Sequence, residues 1–424
     1  MREDFLHHVW KFRKFSDSNL QTQQQQSVEI INPGTHNRQS GPDFFAAQLK
    51  IDKQVWVGNI EIHIKSSDWY AHYHETDSAY DNVILHVVWE HDTDVYRKDN
   101  SVIPTLVLKD KVSKNVLQNY QQLFTQSKKW INCENDFSNT PSFVVQNWIE
   151  RLYFERLESK STVVFDLLKT SKNNWEAVLF QLLSKNFGLN TNGTSFLEMA
   201  TSFPFSVLQK TQHKHTELEA LFFGQCGLLT DTIENPYYTD LQERYSYLKK
   251  KFTLTNNAVS APQFFRLRPP NFPTIRLAQL AAVYSQQPQL FSKIIAAKNV
   301  EEIQQLFNVT TTSFWDTHYS FTSTSSKRKK KISTSLIDLI CINTIAVLKF
   351  CYTKLHGKEV SEEITTLLTA IAPEKNSIIK KYNNLKPVAT NAMHSQALLQ
   401  LKRNYCEPNR CLQCAIGTHI LDRA

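Results

Sequence analysis

Glycine is scarce in this chain, 9 among 424 residues, and the scarcity weighs against a protein built mainly of strands and tight turns. Together with long Leu/Ile-rich stretches, it predicts helices over most of the length. Cysteines number only seven and are unevenly placed, which excludes a disulfide framework. No signal-peptide pattern opens the chain; Met1-Arg2-Glu3-Asp4 leads into a charged amphipathic segment. No run reads as a membrane span, because the longest apolar stretch, Leu336–Phe350, is interrupted by Asp338, Asn343 and Lys349. These absences predict a soluble cytoplasmic protein with no membrane partner. What is abundant is core material: 41% hydrophobic and 12% aromatic residues, enough for two domains. The formal charge of +8 is mildly basic and compatible with a nucleic-acid partner.

The chain reads as organised around Gly41–Lys65. Asp52-Lys53 reads as a short turn between two strand-like runs, Phe44–Ile51 and Gln54–Lys65. In the second run Ile60, Ile62 and Ile64 take one face, while Asn59, Glu61, His63 and Lys65 take the other. The polar row is either a solvated face or a site. Folding at the turn brings Asp43, which follows Gly41-Pro42, beside Glu61, give or take one register step. Two adjacent carboxylates repel unless a cation lies between them. The expectation is a divalent metal, Mg²⁺ or Mn²⁺, held by Asp43 and Glu61, with His63 as ligand or base and Lys65 nearby.

Pro42-Asp43 at a strand start and Glu61 on the next strand resemble the PD-(D/E)xK nuclease superfamily, although His63 stands where that pattern has Lys and Lys65 lies one alternation further. Either His63 replaces the lysine, or Lys65 serves with His63 as an extra ligand. The resemblance implies a restriction-endonuclease-like mixed sheet with flanking helices over residues 1–126; with the larger helical domain that the period predicts over 127–424, the expected class is α+β. The resemblance also implies that an N-terminal helix supplies an acid to the metal, for which Glu3 is the candidate. Over nearly its whole length, on Trp69, His72, His74 and Leu85-His86-Val87-Val88, the chain also resembles an uncharacterised bacterial family known as domain of unknown function 2851. That likeness implies no activity.

Around this stretch, residues 2–15 read as a helix with Phe5, Val9 and Phe12 at helical spacing, and with Glu3 and His7 together on another face. The polar loop before Gly41 carries Arg38, which is either a phosphate contact or part of a plain connection. After Lys65, Trp69, Tyr70, Tyr73 and the pair His72/His74 form a polar–aromatic loop. The two histidines would meet one metal or one phosphate, or decorate the surface. Val83–Trp89 reads as a buried central strand in which His86 is a satisfied core imidazole. The alternative is that His86 faces the same site as His63.

From about residue 127 the period becomes helical, with segments such as Ser142–Lys169, Asn174–Asn186, Ser195–Gln212, Thr216–Leu229, Tyr237–Phe252, Pro273–Tyr284 and Ser333–Leu355. Within it, Arg266, Arg268 and Arg276 surround a helix start, where guanidinium groups suit either a phosphate or surface ion pairs. Lys327, Arg328 and Lys329 belong to a cationic run that is either a solvated loop or a non-specific nucleic-acid contact. Near the end, Cys406, Cys411 and Cys414 are spaced to wrap one soft metal, with Cys133 or His419 as a fourth ligand. Zinc is the simpler expectation. The layout partly resembles the iron–sulfur staple of some recombination and CRISPR-adaptation nucleases, where one early cysteine joins three late ones; here the early one follows the nuclease-like region.

The leading expectation is a metal-dependent phosphodiesterase acting on DNA or RNA. The first rival is a non-catalytic nucleic-acid-binding or assembly protein on a degenerate nuclease fold. The second is a zinc-dependent hydrolase using His63, His72, His74 and Asp43.

Overall fold

The computed structural model describes every residue except 38, 125–128, 358–360 and 424. Packing divides the chain into two units, Met1–Ile149 with Asn383–Val388 and Gln400–Ala424, and Glu150–Tyr382 with Ala389–Leu399. The first unit thus runs to Ile149, and the last residues return to it. The reason is local: the turn around Cys133 and residues 401–417 enclose a common apolar pocket. The chain is α+β, a mixed seven-stranded sheet followed by a larger helical region.

The first unit opens with α1 (Glu3–Lys11), which turns Phe5, Leu6, Val9 and Trp10 inward and packs on the sheet. Two acids in its first turn and Lys11 in its last suit the helix dipole. The sheet comprises β1 (Leu20–Gln21), β2 (Ser27–Asn32), β3 (Thr35–His36), β4 (Phe44–Ile51), β5 (Gln54–Lys65), β6 (Val83–Glu90) and β7 (Thr105–Val107). Their order is β1-β2-β4-β5-β6-β7, with β3 also paired to β4. The β4–β5 hairpin is antiparallel, whereas β5–β6 and β6–β7 are parallel. The crossover between β5 and β6 holds a short helix, α2 (Asp68–Ala71), and a 3₁₀ turn at Ser78–Tyr80. Helix α3 (Lys114–Phe124) follows β7.

Burial explains the layout. Residues Val83–Val88 of β6 are buried on both faces, as a central parallel strand requires. Ile60 and Ile62 of β5 are fully buried, and each such side chain contributes roughly 1.5–3 kcal/mol. Gly58 lets β5 approach the next strand: a Cβ there would lie 2.4 Å from Ile84 Cγ2 and 2.7 Å from the Asn82 carbonyl. The turn falls at Asp52-Lys53, with Ile51 opposite Gln54, and the Asp52 carboxylate accepts from the Ser27 amide at 2.8 Å.

The hairpin register changes along its length. From Ile51/Gln54 to Ala47/Gly58 the pairing is regular; beyond a bulge, Phe44 faces Ile60. The bulge contains Ala46 in the left-handed region, at φ 54°, with its amide donating to Asn59 Oδ1 at 3.4 Å. One inserted residue turns all earlier side chains to the opposite face. Asp43 is thereby aligned with Glu61; without the bulge it would stand opposite Ile62.

In the second unit, helix Pro273–Gln286 is buried on all sides from Pro273 to Tyr284, as a core helix must be. Arg276 on this helix is buried too, its guanidinium donating to Gln279 Oε1 at 2.9 Å and Asn271 Oδ1 at 2.6 Å. Helix Pro236–Phe252 is capped by Asn235 Oδ1, which accepts from the Tyr237 amide at 2.9 Å. The stretch expected as one helix at Ser195–Gln212 forms two, Leu189–Thr201 and Phe205–Thr211. They are separated at Pro204, whose ring cannot continue a helix. Helices Ser377–Leu385, Ala392–Leu401 and Ala415–Leu421 lie beyond the segments read from periodicity. The expectation that no segment approaches a membrane span is corrected: Thr334–Leu355, 22 residues long, reaches the length and apolarity of one, with mean hydropathy 1.7 over its apolar 18-residue window. A π turn at Cys341–Ile345 runs through it, and 67% of its apolar window is buried inside the protein, the situation of a core helix.

An alanine in the left-handed region carries a cost of roughly 1–2 kcal/mol that glycine avoids. Ala46→Gly is therefore expected to raise unfolding stability by up to about 1 kcal/mol, read as a higher urea midpoint with unchanged slope. A fall in the midpoint would contradict the bulge geometry.

Candidate metal centre

The first unit gathers a dense set of polar side chains from four elements. Asp43 and Glu61 come from adjoining positions of the hairpin. The Asp43 amide donates to Glu61 Oε2 at 3.2 Å, and the Ile62 amide donates to Asp43 Oδ2 at 3.0 Å. Helix α1 adds Glu3 and His7. His7 Nε2 lies 3.2 Å from Asp43 Oδ2 and 3.6 Å from Glu3 Oε1, and these three residues form one group of donor atoms within 4.8 Å of one another. The second such group is His63, His72 and His74. Glu61 Oε1 reaches toward it, 3.2 Å from His74 Nε2 and 3.6 Å from His63 Nε2.

The histidines are fixed in depth as well as position. His63 is fully buried; its Nδ1 lies 2.8 Å from His86 Nε2 and its Nε2 3.1 Å from His72 Nδ1. His86 faces His63 from β6, where Glu61 and His86 are register partners. This corrects the reading of His86 as a satisfied core imidazole, because its Nδ1 is buried without a hydrogen-bond partner. The aromatic loop is ordered around the cluster. His74 stacks on Tyr80 at 3.8 Å between ring centroids, and the Trp69 ring stands 5.4 Å from that of His74 and 5.6 Å from that of His86. Asp92 ties the start of the loop down, accepting from Ser66 Oγ at 2.9 Å and Ser67 Oγ at 2.7 Å. Exposure rises outward from His63 and Glu61 through His74 to the exposed His72, so the cluster opens to water on one side.

Burial sets the protonation states. Desolvation pushes the Glu61 carboxyl up to about 7, opposed by a hydrogen bond from His74 and reinforced by the nearby Asp43 charge. Desolvation holds His63 down to about 2, with His86 adding to the effect, and holds His86 down to about 3. Burial opposes charge on His7 too, but its hydrogen bonds to Asp43 and Glu3 prevail and raise it to about 10.

The remaining candidates are distributed elsewhere. Lys65 ends β5 on the same face but is exposed, and among the described residues its ammonium makes no ion pair. Arg38 lies outside the described residues. Arg266, Arg268, Lys327, Arg328 and Lys329 are exposed in the second unit, whereas the buried Arg276 is taken up by Asn271 and Gln279 and leaves that group. Cys133, Cys406, Cys411 and Cys414 gather at a separate place in the first unit, and His419 is not among the residues lining it.

The fold and its donor cluster define an α+β protein with a histidine- and carboxylate-rich centre on a mixed sheet. Residues 3–377 match the family described as "Protein of unknown function (DUF2851)", and the chain belongs to that family. No curated protein and no solved structure matches it.

Two measurements check this geometry. His63 and His86 stay neutral in the fold but take up protons near pH 6.5 when unfolded, so their burial costs stability as pH falls below 6.5. Glu61 and His7 have raised values, and their contributions decline as pH rises through about 7 and about 10. Between pH 4.5 and 6.5 these two imidazoles and His8, which burial likewise holds down to about 4, outweigh Glu61 and the similarly raised Glu219. Metal-free protein is therefore expected to be most stable near pH 6.5, each uncompensated group contributing about 1.4 kcal/mol per pH unit. Urea midpoints across pH 4–9 in chelator test this, and an acid limb unaltered in His86→Phe would refute the assignment. Separately, His86 orients His63, so His86→Ala is expected to weaken transition-metal binding about 10–100-fold by calorimetry.

Proposed function

We propose that the first unit is a metal-dependent hydrolase of phosphodiesters, acting on DNA or RNA strands. One observation carries this reading: the buried Glu61 carboxylate lies beside both Asp43 and the imidazoles of His63 and His74. The residues fit a cation. Glu61, His63, His72 and His74 offer one donor set, and Glu3, His7 and Asp43 a second. A bound divalent ion would polarise a phosphate oxygen and lower the pKa of an attacking water. The nitrogen-rich donors favour Mn²⁺ or Zn²⁺ over Mg²⁺, which prefers oxygen ligands and keeps several waters. His74 and His72, toward the open side, are placed to meet a substrate; His63, deeper, holds its neighbours in line.

Further support comes from layout. An acid after Pro42 at a strand start, Glu61 on the paired strand and an acidic first turn in the preceding helix resemble the PD-(D/E)xK arrangement, with His63 at the position of the usual lysine. The parallel strand after a short helical crossover is compatible with it. The exposed Lys65 does not supply the lysine's role, so water activation falls to the metal and the imidazoles. A second reading, a zinc hydrolase of another substrate class, is favoured by the convergence of three imidazole donors.

The test uses full-length protein loaded with Mn²⁺, Zn²⁺ or Mg²⁺ and labelled single-stranded DNA, duplex DNA and RNA. Cleavage is expected with Mn²⁺ or Zn²⁺, reduced at least about a hundredfold in Asp43→Ala and Glu61→Gln. Metal-loaded protein that binds strands without cutting them supports a non-catalytic role instead. Zinc bound stoichiometrically and lost in His72→Ala, with no cleavage of any strand, supports the second reading.

A further inference from the structure

Four of the seven thiols meet in one place. Cys133 lies in the turn 131–137, where the Phe137 amide donates to its carbonyl at 2.8 Å. Cys406 ends a π turn, Lys402–Cys406; Cys411 begins a 3₁₀ turn; Cys414 precedes helix Ala415–Leu421. All four line a single pocket whose other walls include Ile131, Phe137, Leu401 and Ile416. Cys133, Cys411 and Cys414 are buried, Cys406 is half-buried, and none is in a disulfide. The other three, Cys226, Cys341 and Cys351, are buried in the second unit and take no part.

The surroundings are those of sulfur ligands rather than of core filler. Asn132 Nδ2 donates to Cys411 Sγ at 3.5 Å and to Asn409 Oδ1 at 3.1 Å. Backbone amides of Ile416 and Gly417 donate to Cys414. Asn409, in the left-handed region at φ 55°, reverses the chain between Cys406 and Cys411, and the Arg410 amide closes the turn on the Tyr405 carbonyl at 2.7 Å. Gly417 is required by close approach, since a Cβ there would lie 2.1 Å from the Cys411 carbonyl oxygen. Burial pushes the Cys133 thiol up, and the neighbouring Cys406, Cys414 and Cys411 add to it. Four sulfurs so arranged repel as thiolates unless positive charge lies among them.

Their spacing selects the occupant. Among the described residues, the only groups of three or more donors within 4.8 Å of one another are the two in the sheet centre, so no three of these sulfurs are that close. A single tetrahedral zinc, with Zn–S near 2.3 Å, draws its sulfurs to about 3.8 Å apart. A polynuclear cluster, whose cysteines bind different irons, spaces them more widely. We propose that Cys133, Cys406, Cys411 and Cys414 ligate a four-iron iron–sulfur cluster that staples the turn 131–137 to the C-terminal segment. The proposal is independent of the hydrolase reading, since it shares no ligand with the sheet centre.

The experiment is metal and sulfide analysis of the full chain, purified without oxygen and then reconstituted with ferrous iron and sulfide. About four irons and four sulfides per chain are expected, with a broad visible charge-transfer absorbance. Cys406→Ser, at the half-buried ligand, is expected to lose most of the iron and colour, while Cys226→Ser keeps both. One zinc per chain with no iron, or four freely titratable thiols after reconstitution, would overturn the proposal. Because the wild-type measurement is decisive alone, a poorly folding Cys406→Ser does not shield it; Cys133→Ser and Cys411→Ser provide the same reading from other segments.

Discussion

A single extra residue in β4 determines which way Asp43 points. Side chains in a strand alternate with period two, so a bulge at Ala46 separates two registers of opposite facing. In the register of the turn, Asp43 would stand against Ile62 and bring an unpaired carboxylate to the greasy face of β5. In the register beyond the bulge it joins Glu61 and meets His7 from α1. The donor cluster depends on this step, because Asp43 links the α1 acids to the hairpin carboxylate and, through Glu61, to the histidines.

Desolvation then gives the cluster its character. Burial suppresses charge on Glu61 from one direction and on His63 and His86 from the other, leaving largely neutral donors packed together. A comparison within the same chain shows what is particular about this. Glu219, in the helical unit, is equally buried and likewise raised to about 7. Its oxygens, however, are filled: Trp315 Nε1 donates at 3.0 Å, and Tyr237 and Thr312 complete the set. Glu219 is thus a satisfied structural acid. Glu61 also accepts, from the Asp43 amide and from His74, but its neighbours are imidazoles that carry lone pairs of their own, a set suited to a cation.

Much of this was visible in the order of residues. The alternation from Asn59 to Lys65, the turn at Asp52-Lys53, the central strand Val83–Trp89 and the helical repeats after residue 127 follow from local periodicity and turn chemistry. So did the proximity of Asp43 and Glu61 to within one register step, though not which step, because a bulge has no reliable signature when its left-handed residue is alanine. His86 was misleading for a related reason: a histidine within an apolar run looks like core until the neighbouring strand is known to carry His63. Arg276 misled in the opposite sense, since a guanidinium near a helix start looks exposed until the helix proves to be buried on all sides.

The sequence by itself determined the class of most segments up to about residue 372, the inward and outward faces of β5, and the supply of histidines, carboxylates and thiols. Those follow from short-range preference and hydrophobic period, which act over a few residues. Tertiary structure alone decided that His7 reaches Asp43, that His86 backs His63, and that Cys133 joins sulfurs nearly three hundred positions away. Such meetings depend on how separate elements bury their apolar faces together, and no local pattern encodes that outcome.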